Sequence, residues 1–228
     1  MLRRTRLSAR RKHRPVLVIG LGRFGVAVAR SLTRMGHEVM AIDTDPACIQ
    51  AMCDELTQAV EADATEPETL RRLGAAEFET AVVGIGSNLE ASVLTVLALS
   101  DLGVPKICAK AINEAHARIL ERTGATVIVQ PEARMGERVA HVIGANLIDF
   151  IQFDDDFAIA KMRAPDDFAG RTLEETGIRT QHGITVVGIK RPQQDFVYAV
   201  PDTEVRKDDL LIVSGPTTKV ERFAALSS

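Results

Sequence analysis

From residue 15 to about 150 the chain alternates short apolar runs with amphipathic stretches. VLVIG (16–20) is a continuous apolar run ending in glycine, the form of a strand buried on both faces. Residues 23–35 then place Phe24, Val28, Leu32 and Met35 three or four apart, which predicts a helix. HEVMAID (37–43) predicts the next strand, and apolar strands recur near 57–61, 81–85, 105–109 and 125–129. Helices are predicted between them near 46–54, 66–72, 88–101 and 113–121, with Thr65 and Glu68 in a capping-box pattern. Such alternation predicts a parallel sheet covered by helices on both faces. Pro131 opens a longer predicted helix that runs to about 150. Met135, Val139, Ile143, Leu147 and Phe150 make one stripe on it. Val142 and Ile148 widen that stripe, which implies packing between two bodies or in an oligomer interface.

The pattern changes after 150. Asp154–Asp156 reads as a solvated acidic turn, and FAIAKMR (157–163) alternates as a strand. Residues 171–177 suit a short helix. GITVVGIK (183–190), FVYAV (196–200) and LLIVSG (210–215) read as strands, with a short helix at the end. The expected organisation is a basic tail (1–14), an α/β domain with a parallel sheet (15–150) and a small α+β lobe (151–228). A lobe of that size barely holds a core alone, so it is expected to dimerise or dock.

Composition narrows the function. The 228 residues are 46% apolar and 26% charged, an ordinary globular balance. No apolar run approaches the roughly 20 residues of a membrane span, so the chain by itself is expected to transport nothing. Aromatics are 4%, with no Trp and one Tyr, which argues against a base-stacking surface. Residues 1–14 carry seven Lys/Arg and no acid, leaving a net of −10 on the remainder, so no nucleic-acid partner is expected. The tail reads either as a disordered basic leader or as an attraction to anionic lipid or an acidic partner, at about 1 kcal/mol per basic residue. No apolar stretch follows it as in a secretory signal. Cys48, Cys53 and Cys108 are odd in number and lack CxxC spacing, so three free thiols in a reducing compartment are expected, as small buried side chains.

Gly20-Leu21-Gly22-Arg23-Phe24-Gly25 is a GxGxxG segment between a predicted strand and a predicted helix, and Asp43 ends the next strand. That context makes it a dinucleotide-binding fingerprint of a Rossmann-like sheet. Gly20 permits the tight turn, Gly22 admits phosphate to backbone N–H groups, and Gly25 lets helix and strand pack closely. The helix N-terminus offers unpaired donors to an anion. Asp43 is placed to accept from ribose hydroxyls, which favours NAD or an adenine nucleotide over NADP. Arg23, a cation in the first helical turn, opposes the helix dipole by roughly a few tenths of a kcal/mol unless an anion is bound, and is otherwise a solvated Arg. Asp45 is read as a helix cap before a ligand group. Asp63, with its neighbour Ala64, lies at the ligand edge, where it contacts the base or caps a turn. In GIGSN, Ser87 and Asn88 cap the next helix or line the crevice, with Gly86 counted beside them in the nucleotide site. Lys110 balances phosphate charge or sits at the surface.

A dehydrogenase needs a substrate domain with a general acid or base. Beyond residue 150 there is one histidine, His182, and no nucleophile or metal-ligand constellation. The nucleotide is therefore expected to be bound and not used in redox chemistry. The rivals are an NAD-dependent oxidoreductase and an NAD(H)-responsive transcription regulator.

VIGLGRFGVAVARSLTRMGHEVMAID, followed by EADAT, GIGSN, CAKA and TGATVIVQPEARMGERVA, resembles the RCK family of cytosolic regulators of potassium uptake and potassium channels, in its single-pair Ktr-type form. The resemblance covers essentially the whole chain after residue 14. It implies a protein that is not an enzyme, with an RCK N-lobe and an RCK C-lobe, assembling through dimers into an octameric ring on the cytoplasmic face of a membrane-embedded potassium transporter. It implies binding of ATP or ADP, or NAD(H) in some members, with Arg23 reaching a terminal phosphate across the dimer interface. Glu132 matches a position that helps hold Mg²⁺ or another cation between two nucleotides, and it is equally placed to favour the helix dipole. Arg179 and Pro201 match positions for cyclic di-AMP in the C-lobe, but Thr185 stands where the family has His.

Overall fold

The computed structural model describes residues 14–153 and 156–227. They form two compact units, one ending at Pro131 and the other running Glu132–Ser228. The basic segment 1–13 and Asp154 and Asp155 of the acidic turn lie outside the described residues. Arg14, the last residue of the tail, forms an ion pair with Glu79.

The first unit holds strands β1 (Val16–Ile19), β2 (Val39–Asp43), β3 (Gln58–Glu61), β4 (Thr80–Val83), β5 (Lys106–Lys110) and β6 (Val127–Val129). They pair in parallel in the order β3-β2-β1-β4-β5-β6. Helices α1 (Arg23–Arg34), α2 (Pro46–Met52), α3 (Pro67–Arg72), α4 (Leu89–Asp101) and α5 (Glu114–Arg122) connect them. Side chains of β1 alternate between two apolar cores, which is why the strand reads as an unbroken apolar run. Leu17 and Ile19 join Ile42, Leu99, Ile107 and Leu120 on one face. Val16 and Val18 join Ala29, Val39, Ala41 and Met52 on the other.

The capping box at Thr65 and Glu68 does not form. Pro67 occupies the first helical position of α3, which makes Glu66 the N-cap, with no side-chain cap bond. Proline there is preorganised for the helix, and its missing N–H is one that the first turn would leave unpaired. The backbone N–H and hydroxyl of Thr65 donate instead to Asp63. A capping box does form in the second unit, between Thr172 and Glu175.

The second unit opens with α6 (Pro131–Gly144), followed by β7 (Asp149–Phe153), β8 (Phe157–Arg163), α7 (Leu173–Thr176), β9 (Thr185–Lys190), β10 (Phe196–Tyr198), β11 (Leu210–Pro216) and α8 (Thr217–Ala224). Its antiparallel sheet has the order β10-β9-β11-β8-β7. Phe150, Met162, Ile189, Leu211 and Phe223 form its core. The helix expected to reach 150 ends at Gly144. Asn146 takes a left-handed φ of 54°, the Leu147 N–H donates to the Val142 carbonyl at 3.1 Å, and the chain turns into β7. Phe150 is thus a core residue of a strand, while Met135, Val139 and Ile143 remain exposed on α6. From Glu132 onward α6 lies in the second compact unit. Arg138 pairs with Asp149 at 2.5 Å, and the His141 ring stacks on Phe150 with centroids 4.2 Å apart. Among the described residues no helix is long and apolar enough to cross a membrane.

Among the described glycines of the first unit the closest approach is at Gly25, where a Cβ would lie 1.8 Å from the Gly20 carbonyl oxygen. Gly25→Ala is therefore expected to cost more than about 2 kcal/mol, because backbone and not a flexible side chain must move. Gly22, with nothing within 4 Å of its Cβ position, is expected to lose less than about 1 kcal/mol on the same substitution. Denaturant unfolding of the two variants checks this, and equal midpoints would refute it.

Candidate functional site

The site is built at the carboxyl ends of β1, β2, β4 and β5, where open parallel sheets present their connecting loops. Gly20 leaves β1 with φ +92°, a conformation that strains any other residue. Its N–H donates to the Ile42 carbonyl of β2 at 2.8 Å, and the Gly84 N–H donates to the Ile19 carbonyl at 2.7 Å. The turn is thus fixed from both neighbouring strands. A Cβ on Gly84 would lie 3.0 Å from the Gly20 oxygen, so this glycine also shapes the turn. The sequence reading passed over it, although it opens the Gly-Ile-Gly of the GIGSN segment.

Gly22 is the N-cap of α1, in extended conformation and without a side-chain cap. First-turn N–H groups of a helix have no intrahelical partner, and the open space beside Gly22 gives them an unobstructed approach. Arg23 is the first residue of α1 and is exposed, with no acid in that turn. Phe24 packs half-buried against the core that contains Val16 and Val18, so its side chain serves the fold.

Asp43 ties the site together. Its Oδ2 accepts from the Leu21 N–H at 2.5 Å and its Oδ1 from the Asp45 N–H at 2.8 Å. Each carboxylate oxygen keeps a further lone pair for a hydroxyl donor. Asp45 caps α2 by accepting from the Ala47 N–H at 2.8 Å. Burial, aided by the charges of Asp43 and Asp45, pushes the Cys48 thiol up, which keeps it protonated and unreactive at neutral pH. Burial likewise pushes Cys108 up. All three cysteines are free, but none is fully buried as expected: Cys48 and Cys108 are half-buried and Cys53 is exposed.

Asp63 accepts from the Thr65 N–H at 2.9 Å and its hydroxyl at 2.7 Å, closing the turn after β3. Ala64 is buried in the core beneath that turn. Asn88 caps α4, its Oδ1 accepting from the Ala91 N–H at 3.0 Å. Lys110 and Gly86 meet: a Cβ on Gly86 would lie 3.1 Å from the Lys110 Nζ. The structure thus brings Gly20, Gly22, Arg23, Gly25, Asp43, Gly86 and Lys110 to one edge of the sheet. These groups fit a nucleotide: donors and cations for phosphate, a carboxylate for ribose.

Glu132 sits exposed in the first turn of α6, in the second unit. Among the described residues no group of three or more His, Cys, Asp or Glu could hold a metal ion. In the second unit Arg179, Thr185 and Pro201 line one cavity of about 330 Å³, walled also by Ile178, Val186 and Val200. Arg179 lies on the π turn Ile178–His182 between two left-handed glycines, Gly177 and Gly183.

The TrkA-N domain family matches residues 16–131 and the TrkA-C domain family residues 158–228. The chain is similar to Ktr system potassium uptake protein C of Bacillus subtilis (strain 168), 37% identical over 207 residues that cover 90% of this chain and 94% of that protein. Potassium uptake protein A of the same organism is 35% identical over 213 residues, 93% of this chain and 96% of that one. Among solved structures, the GsuK RCK domain superposes with a TM-score of 0.65 at 17% identity, covering 97% of this chain and 49% of that chain, a likeness of fold.

Because Asp43 holds two backbone donors from different loops, Asp43→Ala is expected to destabilise the protein by about 1–3 kcal/mol without any ligand. Urea unfolding of the ligand-free protein measures this, and an unchanged midpoint would mean that the carboxylate does not organise the site.

Proposed function

From the premise that this chain belongs to the family of TrkA-N and TrkA-C domain proteins, we propose that it is a nucleotide-sensing regulatory subunit of a membrane potassium transporter. The observation that carries this reading is the uncapped N-terminus of α1, open at Gly22 and flanked by Arg23 and Asp43. The names of its relatives supply the system, potassium uptake. The ligand is ATP or ADP, with NAD(H) as the alternative, and the reading assigns no catalysis.

The residues divide the work. Backbone N–H groups at the start of α1 bind phosphate oxygens, and the helix dipole favours the negative charge. Asp43 accepts from ribose hydroxyls. Arg23 contributes a charge-assisted bond to a terminal phosphate, and this removes its unfavourable position on the dipole. Lys110 adds positive charge across the crevice. Glu132 is assigned to a Mg²⁺ or other cation held between nucleotides, and Arg179 and Pro201 to cyclic di-AMP.

Regulation is a population shift. A ligand moves the equilibrium between two conformations only by its differential affinity for them. A terminal phosphate bonded by Arg23 in one conformation supplies such a difference, and each tenfold of differential affinity shifts the ratio about tenfold. The chain is assigned to dimers within an octameric ring on the inner membrane face, held there by its transporter partner. The exposed apolar residues Met135, Val139 and Ile143 on α6, and Leu94 and Leu97 on α4, support self-assembly.

The test is calorimetric titration of the purified protein with ATP, ADP, NAD, NADH and cyclic di-AMP, with and without Mg²⁺. One site per chain for ATP and ADP is expected, with Arg23→Ala flattening the discrimination between them. Binding of NAD(H) alone would overturn the adenine-nucleotide assignment, and retained discrimination would overturn the role of Arg23. Cyclic di-AMP is expected to give heat with the unsubstituted protein and none with Arg179→Ala; no heat with either would remove the second ligand.

A further inference from the structure

One buried polar side chain in the first unit has no part in the site as described. His116, in the first turn of α5, is 0% exposed. Its backbone N–H donates to the Asn113 Oδ1 at 2.8 Å, the helix cap. Its ring Nδ1 accepts from the Ile112 N–H at 3.4 Å. Asn113 reaches forward to the third helical residue, and that residue reaches back to the turn. In a capping box a glutamate or glutamine at this position returns to the N-cap N–H; here an imidazole reaches one residue further back, to Ile112. With Nδ1 accepting, the neutral ring carries its proton on Nε2, which is buried without a partner. Burial lowers the His116 pKa, so this neutral form persists.

The turn so held follows directly on Lys110, the last residue of β5, which pairs with Val129 of β6. Ala111 is anchored to β6 by its N–H to the Val129 carbonyl at 2.8 Å. A Cβ on Gly86 would lie 3.1 Å from the Lys110 Nζ and 3.6 Å from the Ile112 Cγ2, so Lys110 and Ile112 close together over Gly86. An imidazole with an orphaned donor stabilises a core less than an apolar side chain of its size. Its use here is the acceptor it presents to the turn.

We infer that His116 is a positioning residue of the nucleotide crevice, holding the β5–α5 turn so that Lys110 and Ile112 stand over Gly86. The inference rests on the nucleotide-binding reading above. His116 touches no ligand and acts through the Ile112 amide.

The experiment is calorimetric titration of the full chain with ATP and with ADP, beside thermal unfolding of the ligand-free protein. His116→Leu fills the space without an acceptor. It is expected to weaken nucleotide binding about tenfold while leaving the unfolding midpoint unchanged or higher, since it removes a buried donor that has no partner. His116→Asn restores an acceptor near the Nδ1 position and is expected to bind within about threefold of the unsubstituted protein. Unweakened binding by the Leu variant, or an Asn variant as weak as Leu, would overturn the inference. Hydrogen exchange at the Ile112 amide gives the answer without a variant: slow exchange supports the bond, and exchange at the rate of a free peptide overturns it. If the unsubstituted protein bound neither ATP nor ADP, the proposed ligand class would fail as well, and this separates the two failures.

Discussion

The site depends on one contact between backbones. The start of α1 lies so close to the turn after β1 that Gly25 has no room for a side chain beside the Gly20 carbonyl. That approach aims the helix N-terminus at the edge of the sheet. It also lets Gly84 crowd the same carbonyl from β4. Two glycines, Gly25 of α1 and Gly84 after β4, thus crowd the carbonyl oxygen of a third, Gly20. Their missing side chains cost conformational entropy on folding, and the cores on both faces of β1 offset that cost.

Asp43 extends this constraint into the third dimension of the crevice. Its carboxylate joins the Gly-rich turn to the loop that opens α2. A carboxylate fixed by two backbone donors stays in place whether or not a ligand is present, so little ordering entropy is lost on binding. The same bonds explain why Asp45 serves the fold: its own carboxylate is committed to the N-terminus of α2.

The parallel sheet, the antiparallel lobe and the glycine turn were legible because each rests on a local pattern. The apolar strands, the strand-turn-helix context of residues 16–25 and the acid at 43 carry their meaning within a few residues. The errors came where two local signals competed. At residues 65–68 the capping-box spacing was present, but Pro67 fixed the helix start two residues beyond Thr65. At 144–147 the apolar spacing of Leu147 and Phe150 continued a helical stripe, although Gly144 and Asn146 are stop signals. Asn146 took the left-handed conformation, and the apolar residues that follow turn inward from a strand. His116 was not legible at all. In sequence it is a polar residue near the start of an amphipathic helix; only the fold shows that it is buried and turned back on the loop before it.

On the proposed function, affinity and switching come from different parts of this crevice. The α1 donors belong to a packed unit with no slack at Gly25, so they contact phosphate alike in every conformation that keeps the unit intact. Binding that is equal in two states shifts neither, however tight it is. The groups that discriminate must therefore be those whose positions are not set by the glycine contact. Arg23 is exposed at the helix start, and Lys110 ends β5 beside a turn to which a buried imidazole is bonded. The proposed sensing of a nucleotide needs both kinds of group. Here the rigid kind is written in backbone and the adjustable kind in charged side chains at the rim.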